Sequence, residues 1–175
     1  MGSKDFSLSV FKLLRESGTP VSFHREGTSS EIFIRFSRVE SDQMIEIDGV
    51  LESAHPGVLV SGTIRSVSHG ECARCLDDAF NVITAEVREL FEVDATEESG
   101  SYSFDGEVID LTEMIKDALV LELPLVPLCS PDCPGLCPTC GSSLKEGPCG
   151  CDRSPRDERW AVLDELDEAV QRKGE

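Results

Sequence analysis

Residues 57–91 read GVLVSGTIRSVSHGECARCLDDAFNVITAEVRELF, and this stretch decides the fold. Apolar residues alternate at Val58, Val60 and Ile64, and again at Ile83, Ala85 and Val87. A period of two marks strands with one buried face. Between the two runs, Cys72-Ala73-Arg74-Cys75 falls at the turn between a strand ending near His69 and one beginning near Phe80, so a pair of thiols projects from a hairpin tip. Working outward, Ile45 and Ile47 alternate in the same way, and the strand-like signal runs from Phe33 to Phe91. Asp48-Gly49, His55-Pro56-Gly57 and His69-Gly70 are expected as the turns that punctuate it. The expectation is an antiparallel sheet.

Ahead of the sheet the pattern is weak. Phe6, Leu8, Val10, Phe11 and Leu14 suit a short strand or a helical turn that ends near Gly18 and Pro20. Behind it, Asp94 to Gly106 is acidic and rich in Ser, Gly and Thr, the composition of an exposed loop. A helix is predicted next, over about 110–123. Asp110 is placed as N-cap with Glu113 three residues on, Leu111, Met114, Ile115, Ala118, Leu119 and Leu123 recur at helical spacing, and Pro124 stops it. Its apolar face is expected to pack on the sheet. From Pro124 to Asp152, prolines, glycines and six cysteines leave little apolar material, so something other than burial must hold that piece. A last helix starts at Ser154 with Pro155 in its first turn and carries Trp160, Leu163, Leu166 and Val170 along one side, Trp160 being expected to pack within the chain.

The fold class read from these signals is α+β: an antiparallel sheet packed by a helix, a C-terminal zinc-stapled segment and a terminal amphipathic helix. The expected divisions are residues 1–128, a mainly β domain, residues 129–152, the Cys-rich segment, and residues 153–175, the C-terminal helix.

With 175 residues the chain has room for one ordinary core and a modest appendage. Its 34 acidic residues against 16 basic ones give a formal charge of -18. That charge repels nucleic-acid phosphates and anionic membranes, so direct binding to an RNA backbone is disfavoured and a basic protein suits better as partner. The start, Met1-Gly2-Ser3-Lys4-Asp5, lacks the cationic and apolar run of a signal peptide, and no stretch approaches the length of a membrane span. A cytoplasmic location is expected. Under reducing conditions there, the eight cysteines, clustered in close pairs, read as metal ligands and not as disulfides.

Cys137-Pro138-Thr139-Cys140-Gly141 sets two thiolates across a tight turn that Gly141 helps to close, with backbone N–H groups facing the sulfurs. Cys149-Gly150-Cys151 brings two more. Four soft ligands so close together indicate tetrahedral zinc. The hairpin pair, Cys72 and Cys75, gains a second tetrad from Cys129 and Cys133 if the predicted helix returns the chain to the hairpin tip; mixed pairing of the eight remains open. Structural zinc contributes roughly 10 to 16 kcal/mol of apparent binding free energy in small peptides, ample to order a segment without a core. The rival reading of Cys72 and Cys75 is a thiol-disulfide redox pair, which wants its first Cys at a helix N-terminus, whereas strands flank this one. A catalytic zinc would want an open position and His or carboxylate ligands. No catalytic residue is expected: His24, His55 and His69 are scattered, and His69 is an alternative ligand near Cys72 or an ordinary turn residue. Arg74, with Lys145 and Arg153, lies near thiolates, where it can offset charge or meet a partner.

The ordered set GECARCLDDAF, then DLTEMIKDALVLELPLVPLCSPDCPGLCPTCGSSLKEGPCGC, then DERWAVLDEL, running from Gly70 to Leu166, resembles the YceD family, also called large ribosomal RNA subunit accumulation protein. The resemblance implies a bacterial or plastid factor needed for accumulation of large-subunit (23S) rRNA, without enzymatic activity. It matches the family's Cys-x-Arg-Cys pair to Cys72, Arg74 and Cys75 and its later metal-type positions to Cys129 and Cys133. Some members lack the compact quartet Cys137, Cys140, Cys149 and Cys151, which implies that it stabilises the appendage and is not the shared core of function. The partner implied is a large-subunit precursor or a basic ribosomal or assembly protein. A cytoplasmic redox sensor and a zinc-stabilised adaptor are the alternatives.

Overall fold

The structure is a computed structural model that describes residues 6–15, 19–93, 95–96 and 99–151. The C-terminal helix expected over residues 153–175, with Trp160, lies outside the described residues. The chain divides into two compact units, residues 1–133 and 134–175. The division falls after Cys133 and not after residue 128, because Cys129 and Cys133 meet groups of the sheet unit.

In the first unit the strands are β1 (Ser7–Ser9), β2 (Val21–Gly27), β3 (Ile32–Phe33), β4 (Ser37–Val39), β5 (Ile45–Ala54), β6 (Gly57–Glu71), β7 (Asp78–Val93), β8 (Tyr102–Phe104) and β9 (Val108–Asp110). Two helices join them, α1 (Phe11–Arg15) and α2 (Thr112–Glu122). The frame is the β6–β7 hairpin, which pairs without a bulge from Gly57↔Glu92 to Glu71↔Asp78. On its other edge β6 pairs first with β5, which carries β2, and then with β4, which carries β3. All these ladders are antiparallel; β8 adds to the far end of β7 in parallel, a pairing that the acidic composition of residues 94–106 does not suggest. β1 and β9 form a separate two-stranded ladder.

The alternation puts Ile45, Ile47, Val58, Val60, Ile64, Ile83, Ala85 and Phe91 into one core, where they meet Leu8, Ile109, Met114, Ile115 and Leu119. At roughly 1.5 to 3 kcal/mol for each fully buried aliphatic or aromatic side chain, this core supplies most of the gross stabilisation of the unit. Helix α2 packs on β7, as its spacing predicts. Its start is shifted by one position from the sequence reading. Leu111 is fully buried and takes the N-cap position, with no side-chain cap. Asp110 instead accepts hydrogen bonds at Oδ1 from the Thr112 N–H (2.9 Å) and Thr112 Oγ1 (2.6 Å).

Two expected turns are not turns. Asp48-Gly49 lies inside β5 and His69-Gly70 inside β6. Gly49 is there for room: opposite Gly62, a Cβ on it would stand 2.8 Å from the Phe23 ring, which lies across the ladder. His55-Pro56 does form a turn, with a cis peptide.

Candidate metal centres

The β6–β7 ladder ends at Glu71↔Asp78, leaving Cys72 to Asp77 as the loop. Within it the Cys72 N–H donates to the Asp77 carbonyl (2.8 Å) and the Leu76 N–H to the Cys72 carbonyl (2.9 Å), while Leu76 adopts φ 65°. This tight turn points the Cys72 and Cys75 thiols the same way. The chain leaving α2 comes back to them. Ser37 Oγ donates to the Pro124 carbonyl (2.9 Å), and the Ala73 N–H donates to the Pro127 carbonyl (2.9 Å). Gly70 leaves space for the Phe36 carbonyl and for Pro127; a Cβ there would lie 2.5 Å from the first and 3.0 Å from Pro127 Cγ. Arg74 clamps the stretch beyond Pro127, Nη1 donating to the carbonyls of Pro131 (3.1 Å) and Cys133 (2.9 Å). The cation picked out beside the thiols therefore has an internal task.

These bonds deliver Cys129 and Cys133 to the hairpin tip. The sulfurs of Cys72, Cys75, Cys129 and Cys133 lie within 4.8 Å of one another, with Cys72 to Cys133 at 3.9 Å and Cys75 to Cys129 at 3.6 Å. Zn–S bonds of about 2.3 Å in a tetrahedron place sulfurs roughly 3.8 Å apart, so the cage has the right size. Cys72, Cys75 and Cys133 are buried and Cys129 half-buried.

In the second unit, Cys137, Cys140, Cys149 and Cys151 form another such cage. The Cys137 N–H donates to the Ser142 carbonyl and the Gly141 N–H to the Cys137 carbonyl, both at 2.8 Å, and Gly141 has φ 73°. A Leu136↔Ser143 bridge and a 3-10 turn at Leu144–Glu146, capped by Ser143 Oγ, carry the chain toward Cys149. Here only Cys137 is buried, and Cys140 is exposed. None of the eight cysteines is in a disulfide.

The electrostatics suit a cation. The Cys129 N–H, helped by those of Arg74 and Cys75, lowers the Cys72 thiol to about 6. In the compact quartet, the Cys140 N–H and the Cys149 thiol do the same for Cys137, also to about 6. The Ser142 hydroxyl lowers Cys140, and Cys140 and Cys149 together push Cys151 up to about 12. In the compact quartet two thiols are lowered and a third is raised by its neighbours; a divalent ion inside removes that conflict.

His69 is not part of either group. It stands in β6, stacked on Phe80 (4.8 Å between centroids), between Glu40 (3.2 Å) and Asp78 (3.0 Å). Those two carboxylates, Asp78 first, raise its pKa. His24 is engaged with Asp48 and Glu26, far from both cages in sequence. The Cys72 pair sits between two strands, not at a helix N-terminus. Sequence reasoning missed that Ser37, Gly70 and Pro127 position the returning segment; Gly70 reads locally as a turn residue, and nothing in the local sequence of Ser37 marks it.

The sequence profile described as large ribosomal RNA subunit accumulation protein YceD matches residues 60–167, which hold all eight cysteines. The chain belongs to the YceD family. Beyond the profile, proteins of Mycobacterium tuberculosis and Mycobacterium bovis, both described as uncharacterized, are 36% identical over 167 residues, covering 91% of this YceD chain and 80% of theirs. A protein of Arabidopsis thaliana described as large ribosomal RNA subunit accumulation protein YCED homolog 1, chloroplastic, is 34% identical over 65 residues, 37% of this chain and 20% of its own. No solved structure matches the chain. Among the described residues of this YceD protein, no helix is long and apolar enough to cross a membrane.

Proposed function

We propose that the protein is a non-enzymatic factor in large ribosomal subunit biogenesis, supporting accumulation of 23S rRNA, and that each cysteine quartet holds one structural zinc ion. The observation that carries the reading is the family match over residues 60–167, with both quartets inside it. Cys72, Cys75, Cys129 and Cys133 would hold one ion and Cys137, Cys140, Cys149 and Cys151 the other. Four thiolates close a tetrahedral zinc, leaving no position for a reacting water, and this favours a folding role over a catalytic one. Zinc would supply the order that the proline- and glycine-rich second unit cannot draw from burial.

A formal charge of -18 sets the protein against phosphate backbones, so it acts in the cytoplasm through a basic ribosomal or assembly protein on the large-subunit precursor. Depletion of the protein should lower 23S rRNA relative to 16S rRNA. An unchanged ratio, or tagged protein that recovers no large-subunit precursor component, would sink the reading. Purified protein should carry about two zinc ions per chain. Metal-free protein with rapid, reversible oxidation of Cys72 and Cys75 would replace structural zinc by the redox alternative.

A further inference from the structure

Strand β7 is unusually open. It pairs with β6 along nearly its whole length, yet on its other side only Phe91 to Val93 are paired, with β8. Among the described residues, Asp78 to Leu90 have no strand on that side. Alternate residues of such an edge point their N–H and C=O groups outward, a template for another strand. Two of the usual protections are missing here: the ladder has no bulge and the stretch has no proline, while its inward face carries Ala79, Ile83, Ala85 and Val87 with Glu89 as its one charge.

Beside this edge runs helix α2, and between the two lies a cleft of about 190 Å³. Ala85, Val87, Met114, Ala118 and Leu121 supply its apolar surface, and Leu121 is 84% exposed. Its charged lining is of one sign: Glu86, Glu89, Asp117 and Glu122, with no lysine or arginine. Tyr102 closes one end, its hydroxyl donating to Asp117 Oδ2 (2.9 Å). A strand edge beside a helix, over an apolar floor, is the geometry by which extended peptides are taken up as an added strand.

We infer that the cleft between the open edge of β7 and α2 binds an extended, lysine- or arginine-rich segment of a partner protein as an additional strand. Main-chain bonds to β7 supply affinity, small or aliphatic side chains enter between Ala85 and Ala118, and cations meet the carboxylates of Glu89, Asp117 and Glu122, the Glu86 carboxylate being held by Thr63 Oγ1 (3.0 Å). Charge decides among the occupants. A second copy would bring its own acidic rim and its own charge of -18 against the same carboxylates. The chain's own residues 152–175 carry eight acidic and five basic side chains, which suits an acidic cleft poorly. The inference rests on the proposed function only for where the partner comes from.

The test uses the full-length, metal-loaded protein and labelled peptides of roughly twelve residues, about the length of the open edge. One alternates lysine with valine, one alternates glutamate with valine, and one repeats the lysine peptide with a central proline. The lysine peptide should bind at least about tenfold tighter than the other two, and more weakly as salt rises from about 0.05 M to about 0.5 M. It should slow amide exchange along residues 79–90 of β7. Glu89→Lys with Glu122→Lys should weaken it by at least about tenfold while circular dichroism stays unchanged. Should the double variant fail to fold, the exchange map on the native protein decides alone. Equal binding of all three peptides, no binding of the lysine peptide, protection outside β7, or self-association through β7 would each overturn the inference. Loss of 23S rRNA dependence would sink only the proposed function, since peptide binding and exchange are read on purified protein.

Discussion

The two Cys-x-x-Cys turns have the same hydrogen-bond pattern and opposite surroundings. In both, the first Cys accepts from the N–H four residues on and donates to the carbonyl five residues on. In both, the residue after the second Cys is left-handed: Leu76 at φ 65°, Gly141 at φ 73°. A leucine there costs roughly 1 to 2 kcal/mol, a glycine nothing of the kind. The first turn closes a long hairpin over the core, and that ladder holds Leu76 in place against the strain. The second is supported by one bridge and a 3-10 turn and uses the residue that costs least. Where the rest of the fold dictates a conformation, side-chain preference is overridden; where little else does, preference and metal must agree.

The sharpest way to break this comparison is to remove one thiolate from each cage. Cys75→Ala should lower bound zinc by one and destabilise the sheet unit by more than about 4 kcal/mol, because it leaves buried thiols unpaired beneath the hairpin tip. Cys140→Ala should also lower zinc by one and leave the main unfolding transition of the sheet unit in place. Metal analysis with thermal unfolding checks both, and equal losses of stability would contradict the difference drawn between the cages. Under a competing chelator, the exposed compact quartet should release its ion first, read by a colorimetric zinc indicator.

Smaller effects separate geometry from metal. Gly141→Leu should weaken zinc retention in the second unit by about 1 to 2 kcal/mol, since φ alone demands glycine there and a Cβ would touch nothing. Leu76→Gly should relieve up to about 1 kcal/mol at the hairpin, its side chain being 59% exposed. Arg74→Met, which removes the clamp on Pro131 and Cys133, should cost about 1 kcal/mol of stability in urea unfolding. The smallest effect is one of pH. Because the native pKa of His69 is raised, its contribution is full below its unfolded value, about 6.5, and is lost as pH rises through the higher native value. His69→Gln should therefore flatten the stability profile between about 6.5 and the higher native value, and a profile unchanged by the substitution would show that the Asp78 and Glu40 contacts carry no net stabilisation.

Much of this is legible in the residues alone. Alternation at Val58, Val60, Ile83 and Ala85 identifies the hairpin, the spacing from Leu111 to Leu123 identifies α2, and Cys137 to Cys151 declares a local cage. The failures have physical causes. Asp48-Gly49 and His69-Gly70 carry turn composition but lie within strands, because Gly49 makes room for the Phe23 ring and Gly70 for Pro127, needs set by residues distant in the chain. Asp110 has the character of a helix cap and lies one residue early, because burial of Leu111 decides where α2 begins.

The sequence by itself determined the local chemistry: which faces are apolar, where thiols come in close pairs, and the sign of the chain's own net charge, since these depend on residue type and short spacing. Only the tertiary structure decided that Cys129 and Cys133 join Cys72 and Cys75, that Arg74 clamps the segment between them, and that among the described residues no strand covers one side of β7 over residues 78–90, beside an acidic cleft. Each of these joins residues dozens of positions apart, or turns on which strand pairs with which, and such choices are made by packing of the whole unit.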